Sequence, residues 1–547
     1  MKRFLLFVFA AATFFSLFHL YYNSQFPYTH DGENHLARFA NYKIALREGQ
    51  IPPRFAPNLM NHYGYPVFNY NYPLANILSL PFSFIGVSYE TTFELLVVIS
   101  VLFGAGGVWQ LTKTLKASPN VRWLSVIVWL LQPYLVSTIY FRGNIGEILA
   151  LSLLPWLVWL PYSLAAKKKI TFRSSHTLFG VGILTAFLLS HNISAVVGSG
   201  IYIVLCLALF YRSKQKLLAS LAVVIWAIGL SLWFWLPALA EMSSVVVGDA
   251  SLVSEFSAHF VTLSQLLWSP LRFGFSYLGG VDSLSFAIGL PAILVLLGVG
   301  TSLLIRQRLA QAGPFLLLFV LACLTVVGQL SLSKSLWELV PALHFLQFPW
   351  RLSLFTVTLL LPSLVFLLGQ SKLILRLLVV LLLFQVISLL RLSPIDYFHK
   401  TNLDYAVFSQ STSTQNENRT KEFTYADIGD WQPRPTLLQP DAGIITVQSW
   451  NGSKRKYTLL LTTETTIIEP TMNFPGWETT VLQDGVNKTV SYIHNDVSAG
   501  RIAYELPAGS YQVMTLFTQN TPARLIGNAV SLISFGVLIF AMRKPRG

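Results

Sequence analysis

The chain has 547 residues, of which 53% are hydrophobic and only 11% charged, with a formal net charge of +14. Apolar runs near the roughly 20-residue spanning length exclude an ordinary soluble domain and point to a polytopic helical membrane protein. The positive charge is the basic excess expected of cytoplasmic loops, so it gives no ground for a nucleic-acid partner.

In chain order, Met1-Lys2-Arg3 leads into the apolar run Phe4–Tyr21. Tyr21, Tyr22 and Asn23 stand where a cleaved signal would carry small residues, so an uncleaved first span is expected. Acids, histidines, arginines and many aromatics then crowd between Tyr28 and Pro73. A helix starting at Asp31 would use that carboxylate as its N-cap, at the positive end of the dipole. Helical spacing then sets Asp31, His35, Arg38 and Tyr42 on one face and Leu36, Ala40 and Ile44 roughly opposite. Such a helix suits a bilayer surface or a packed bundle. Tyr63, Tyr65, Phe68, Tyr70 and Tyr72 fit either an interfacial belt, the favoured reading, or stacking on sugar or isoprenoid.

Leu74–Val87 contains Pro81 and is short for a crossing, which fits a re-entrant or interfacial helix. Further spans are expected at Thr92–Leu111, Val121–Tyr140, Ile148–Leu164, Thr177–Ser190, Ala195–Phe210 and Leu217–Pro237. Others are expected at Leu284–Leu304, Gly313–Leu330, Trp350–Leu368, Leu373–Leu390 and Leu525–Ala541. With the first run that makes about twelve. The Thr177 and Ala195 segments are either two helices or one long bent one. If Leu74–Val87 does not cross, the basic loops fall on one side. They carry Lys2, Arg3, Lys113, Lys116, Arg122, Lys167, Lys168, Lys169, Arg173, Arg212, Lys214, Lys216, Arg306, Arg308, Lys372, Arg376, Arg543, Lys544 and Arg546. That side is the cytoplasm. Both termini are then cytoplasmic, and the loops with Arg142–Glu147, Glu241–Asp282 and Ser331–Pro349 face outward. Cys206 and Cys323 fall inside apolar segments and read as small buried hydrophobes.

From Ser393 to Pro522 the chain turns polar, with alternating stretches such as Tyr457–Leu461 and Tyr511–Leu516 between turn signals such as Pro475-Gly476 and Asp484-Gly485. A β-rich domain outside the membrane is expected there, with Ser411–Thr420 as a mobile loop. The expected units are a helical membrane domain over 1–392, including a first outer loop at 22–91, the β-rich domain over 393–522, and a last span and tail over 523–547.

Several short motifs carry a family resemblance. They are His30-Asp31-Gly32-Glu33-Asn34-His35-Leu36, Pro53-Arg54-Phe55, Gly64-Tyr65-Pro66, Tyr72-Pro73-Leu74, Phe141-Arg142-Gly143 with Glu147, Leu189-Ser190-His191 and Gln347-Phe348-Pro349-Trp350-Arg351. In this order they resemble the pyruvoyl-tetrahydropterin-synthase-related membrane proteins. Pro475-Gly476-Trp477, Leu506-Pro507-Ala508-Gly509 and Thr521-Pro522-Ala523-Arg524 resemble the ends of the YfhO-type relatives. The resemblance implies a GT-C glycosyltransferase plan: a multi-helix membrane domain, jaw helices and an acidic residue in the first outer loop, and a sugar donor carried on a polyprenyl phosphate. No pterin chemistry is visible. GT-C enzymes often show Asp-x-Asp or Glu-x-Asp, and this chain has Asp31-Gly32-Glu33.

Glycosyl transfer needs a base for the acceptor hydroxyl and cations for the leaving phosphate. Asp31 is the candidate base, with Glu33 and Glu147 as second choices. Asp31 and Glu33 project together only from extended backbone. Arg54, Arg142 and Arg351 are candidate phosphate ligands, or else interfacial anchors. Arg142 stands out because Gly143, Asn144 and Gly146 are expected to leave it open. His30, His35 and His191 are candidate substrate contacts; a divalent cation is left open, and no metal ligand is assigned.

The leading functional reading is a multi-pass plasma-membrane glycosyltransferase. It would take a polyprenyl-phosphate-linked sugar from the lipid bilayer to a glycan or other cell-envelope acceptor. The alternative is a membrane-anchored glycan-binding or assembly protein with an inactive GT-C fold. A transporter ranks behind both, because intramembrane acids are scarce.

Overall fold

The computed structural model describes residues 25–167, 173–248, 254–277, 282–304, 313–390, 392, 394–398, 400–413, 415–424, 431–494 and 496–543. The expected first span with Lys2 and Arg3 lies outside the described residues, as do Lys168, Lys169, Arg306, Arg308, Lys544 and Arg546. Strand β1 (Phe26–Pro27) and helix α1 (Gly32–Arg47) open the described chain. Helices α2 (Leu74–Phe84), α3 (Tyr89–Thr114) and α4 (Pro119–Leu130) follow.

A break at Leu131-Gln132 separates α4 from α5 (Pro133–Ser137), with a bend of 40°. Pro133 lacks an N–H, so a helix ends naturally before it. The freed carbonyls are taken up: Gln132 Nε2 donates to Trp129 O at 2.8 Å, and Gln385 donates to Leu131 O. The chain then makes a π-helical turn, Thr138–Arg142, of a kind frequent at functional sites.

The remaining helices are α6 (Ile145–Ala165), α7 (Ser175–Ser190), α8 (Asn192–Phe210), α9 (Lys214–Ala240), α10 (Leu290–Leu304), α11 (Gly313–Val327), α12 (Ser353–Gln370), α13 (Lys372–Leu390) and α14 (Pro522–Met542). Among the described residues, 7 helices are long and apolar enough to cross a membrane, or 8 with the bent pair as one span. Helices α2, α7, α10 and α11 are apolar but shorter.

The 177–210 region is two helices. His191 takes an extended conformation and its ring caps α8 through the Ser194 amide. The expected span at Leu284 begins only at Leu290. Before it, the amides of Phe286 and Ala287 bind Ser269 Oγ at 2.8 and 2.9 Å, which holds the chain outside a helix. In the helical core α3 lies close against α6. A Cβ on Gly104 would sit 3.0 Å from the Ser152 Cα, and one on Gly107 would sit 2.9 Å from Trp156. Small residues permit that approach.

Beyond α13, strand β2 (Tyr397–Phe398) pairs with β1. The β-rich part holds β3 (Thr436–Leu437), β4 (Gly443–Trp450), β5 (Lys454–Leu461), β6 (Thr465–Met472), β7 (Trp477–Gln483), β8 (Val486–Thr489), β9 (Arg501–Leu506) and β10 (Gly509–Phe517). They form a five-stranded antiparallel sheet ordered β4-β5-β10-β7-β8 and a three-stranded sheet ordered β3-β6-β9. Tyr457, Leu459, Ile467, Val481, Tyr504 and Val513 fill the space between them.

Three local expectations need correction. The aromatics of the first loop do not form an exposed belt. Tyr63, Tyr65, Phe68 and Tyr70 are buried with Phe55 in one core shared with Phe474 and Trp477, while Tyr72 is buried beside His191. Burial of such large rings is the main force joining loop to β-domain, and the Met472 amide donates to Tyr63 O at 2.8 Å across the seam. Secondly, of the two settings open to α1 the bilayer surface falls and the packed one stands: His35 through Tyr42 are all buried, and Arg38 binds the Thr412 hydroxyl and carbonyl. Thirdly, the described residues of 411–420 are tied down rather than loose. Tyr65 Oη lies 2.7 Å from Ser413 Oγ and accepts from the Asn418 amide at 2.8 Å.

Candidate functional site

The break before Pro133 and the π-helical turn deliver Arg142 to the mouth of α6. Gly143 has φ +61, and Asn144 caps α6 by accepting from the Glu147 amide at 3.0 Å. Glu147 sits in the first turn, where the helix dipole favours an anion. Its side chain is fully buried. Arg142 grips it with both arms of the fork, one of them at 2.7 Å. Tyr134 Oη donates to Oε2 at 2.7 Å. Arg351 Nε stands 3.3 Å from Oε1, and His191 Nε2 3.7 Å. The Trp350 ring lies 4.8 Å from the Arg142 guanidinium carbon. Two guanidinium groups therefore share this one carboxylate, and the positive charge it leaves over is felt by Asp31.

Asp31 reaches this group from the other side. Its amide donates to Arg142 O at 2.8 Å, and the His30 amide donates to Phe141 O at 3.0 Å. Asn144 Nδ2 donates to Asp31 Oδ2 at 3.1 Å. The Asn144 amide cannot be turned over, because its Oδ1 already accepts from the Glu147 amide and from Tyr72 Oη at 3.1 Å. Asp31 stands at the N-cap position of α1 yet makes no capping bond with its side chain. Thr29 Oγ1 accepts the Gly32 amide at 3.0 Å instead, which leaves the Asp31 carboxylate partly exposed and held by Asn144.

The glycines here serve close approach, contrary to the open surroundings expected for Arg142. A Cβ on Gly143 would lie 2.2 Å from Thr29 Oγ1, and one on Gly146 would lie 2.1 Å from the Tyr72 ring. His30 stacks on Phe275 at 4.6 Å and meets Phe273 edge-on at 4.9 Å. Burial, and then the nearby Arg142, push its pKa down to about 4. Burial also holds His35 well below its ordinary value, so both rings are neutral at physiological pH. His35 Nε2 lies 3.5 Å from Tyr72 Oη.

The structure thus brings Asp31, His30, His35, Arg142, Glu147, His191 and Arg351 into one group and leaves Glu33 and Arg54 elsewhere. Glu33 lies inside α1, turns away and pairs with Lys400. Arg54 is buried in a second network, donating to Trp233 O at 2.5 Å, Asn69 Oδ1 at 3.3 Å and Gln519 Oε1 at 3.2 Å. Asn69 there donates to Glu241, which pairs with Arg524 at 2.9 Å. Among the described residues no three His, Cys, Asp or Glu side chains are grouped to hold a metal ion. Sequence reasoning gave Tyr134 and Trp350 no role in the site and gave Asn144 only that of leaving Arg142 open; the N-cap position of Asn144 before an apolar helix was the available signal.

The 6-pyruvoyl-tetrahydropterin synthase related domain, described as a membrane protein, matches residues 68–396. The chain belongs to that family of membrane proteins. An uncharacterized protein of Lactococcus lactis subsp. cremoris (strain MG1363) is 25% identical over 274 residues, covering 47% of this chain and 43% of that protein. The chain therefore spans less than half the length of that relative. Among solved structures, the mycobacterial arabinofuranosyltransferase AftD is similar with a TM-score of 0.48 and 15% identity, over 71% of this chain and 26% of that one. The oligosaccharyltransferase of Archaeoglobus fulgidus is similar with a TM-score of 0.42 and 11% identity, over 77% and 57%.

Proposed function

We propose that this chain is an integral-membrane glycosyltransferase of the GT-C type, moving a sugar from a polyprenyl-phosphate donor to an acceptor outside the cytoplasm. The observation that carries this reading is the Asn144–Asp31 contact. It sets a partly exposed carboxylate beside a buried group with one positive charge to spare. Asp31 takes the proton of the acceptor hydroxyl as that oxygen bonds to the anomeric carbon. The bond from that carbon to the phosphate oxygen breaks, and the lipid phosphate leaves with the electron pair. Once Asp31 holds that proton the arginine charge is in excess, and in a site shielded from water it stabilises that leaving group.

Arg142 supplies charge without an open fork, because Glu147 fills it. Arg351 has donors to spare, with Nη1 on Leu346 O and Gln347 Oε1 at 3.1 and 3.0 Å. Glu147 positions the arginines and does not act as the base, since each of its oxygens already accepts from Arg142. Glu33 and Arg54 have no part in the reaction.

In this reading the chain crosses the plasma membrane about twelve times, with both termini cytoplasmic. The first loop and the β-domain face outward. The basic residues of the alternate loops support that placement. Purified protein is offered labelled polyprenyl-phosphate sugars and nucleotide sugars, with cell-envelope acceptors, with and without divalent ions. Consumption of the lipid-linked sugar alone is expected. Use of a nucleotide sugar instead contradicts the mechanism. No consumption across the panel favours a membrane-anchored glycan-binding protein with an inactive fold.

A further inference from the structure

A cavity of about 220 Å³ lies where the first loop meets the β-domain. None of its lining residues belongs to the Asp31 group. Glu48, at the end of α1, and His62 form its loop side. Trp431, Trp450, Asn451 and Arg455 form its other side. Met60, Asn61 and His62 take φ of 55, 50 and 66°, three successive left-handed residues without a glycine. Side chains rarely adopt that region, and such strain persists where surroundings over-determine it, often at ligand sites. Here the Met60 and Asn61 amides are pinned to Gln410 O and Ser409 O at 3.2 and 2.8 Å. The outcome is that the His62 ring lies 4.8 Å from Trp431, tilted by 30°.

The polar groups are equally specific. Arg455 is committed to Glu469 at 2.7 Å, and its guanidinium lies between Trp450 and Trp477, at 4.6 and 4.5 Å. It therefore fixes the Trp450 ring at the cavity wall and offers no free charge to an anion. Glu48 accepts from Ser453 Oγ at 3.3 Å and from the Gly452 backbone, which leaves lone pairs for a further donor, and burial raises its pKa. Asn451 Oδ1 is taken by the Ser453 and Lys454 amides, which leaves its Nδ2 for other partners. Ring faces for an apolar C–H face, with a carboxylate and an amide for hydroxyls, match an uncharged sugar.

We propose that this cavity is a binding subsite for one sugar ring of a neutral glycan. Only the naming of that glycan as the acceptor rests on the transfer reaction proposed above; binding itself does not. The test uses full-length protein in a detergent without a sugar head group. Probes are malto-, cello- and rhamno-trisaccharides and, as the anionic control, sialyllactose. Binding is read by tryptophan fluorescence and saturation-transfer NMR. At least one neutral trisaccharide should bind, and Trp431→Ala should weaken it about tenfold or more. Glu48→Gln keeps the shape and should weaken it about threefold. His62→Ala should weaken it as well, and thermal melts check that each variant is folded. In transfer assays the same variants should raise the acceptor KM and leave kcat unchanged. Failure of every neutral probe to bind folded wild type, binding of sialyllactose alone, or unchanged binding in both Trp431→Ala and Glu48→Gln overturns the site. Binding that obeys the variants in a protein that transfers nothing upholds the site and rejects the transferase reading.

Discussion

Asn144 holds Asp31: its Nδ2 donates to Asp31 Oδ2 at 3.1 Å while its Oδ1 caps α6. One side chain thus couples the candidate base to the helix that carries Glu147. The two roles can be separated. Asn144→Ser keeps a good cap but is too short to reach Asp31. It should melt like wild type and lose transfer roughly tenfold to a hundredfold through misplacement of the carboxylate. Asn144→Ala should lose stability as well, by about 1 kcal/mol for the cap. Equal transfer by Asn144→Ser and wild type would remove Asn144 from the site.

Glu147 is the sole carboxylate that Arg142 and Arg351 share among the described ion pairs. Glu147→Gln leaves two buried guanidinium groups without their paired carboxylate. Breaking a buried pair in this way costs about 3–5 kcal/mol, so thermal unfolding in detergent should shift sharply downward. Arg142→Met added to Glu147→Gln should recover part of the loss. A Glu147→Gln protein as stable as wild type would refute this electrostatic account.

His30 gives a pH signature. Its folded pKa of about 4 lies below the ordinary 6.5, so the unfolded chain binds the proton first. The stability gained by keeping His30 neutral is complete above 6.5 and is lost as pH falls toward 4. His30→Gln cannot titrate. The wild-type minus His30→Gln difference in melting temperature should therefore decline across that interval and stay flat above it. A difference independent of pH would contradict a neutral buried His30.

Sidedness is tested with single cysteines in a Cys206→Ala, Cys323→Ala background. Val486 and Tyr211 are 67% and 69% exposed. An impermeant thiol reagent on intact cells should label Val486→Cys, and Tyr211→Cys only after permeabilisation. The reverse pattern would invert the proposed topology.

Most helices were legible because apolar runs in a chain poor in charge have few other uses. The same scarcity made Arg142, Glu147, His191 and Arg351 conspicuous, and they meet. Glu33 misled through its nearness in sequence to Asp31. Once α1 begins at Gly32, successive side chains turn by the helical period, and Glu33 faces Lys400. The first-loop aromatics misled for a different reason. Their partners Phe474 and Trp477 lie far along the chain, so nothing local separates a shared core from a belt. The role of Gly143 and Gly146 was equally hidden, because the crowding comes from Thr29 and Tyr72 on another segment.

The central claim is that Asp31 is the base of a glycosyl transfer. Asp31→Asn keeps the side-chain shape while removing the proton acceptor, and Asp31 makes no capping bond to lose. The decisive measurement is the transfer rate of folded Asp31→Asn protein with a labelled polyprenyl-phosphate sugar at saturating acceptor. The account predicts a fall of about a hundredfold or more with an unchanged melting temperature. Full transfer activity in Asp31→Asn would contradict it.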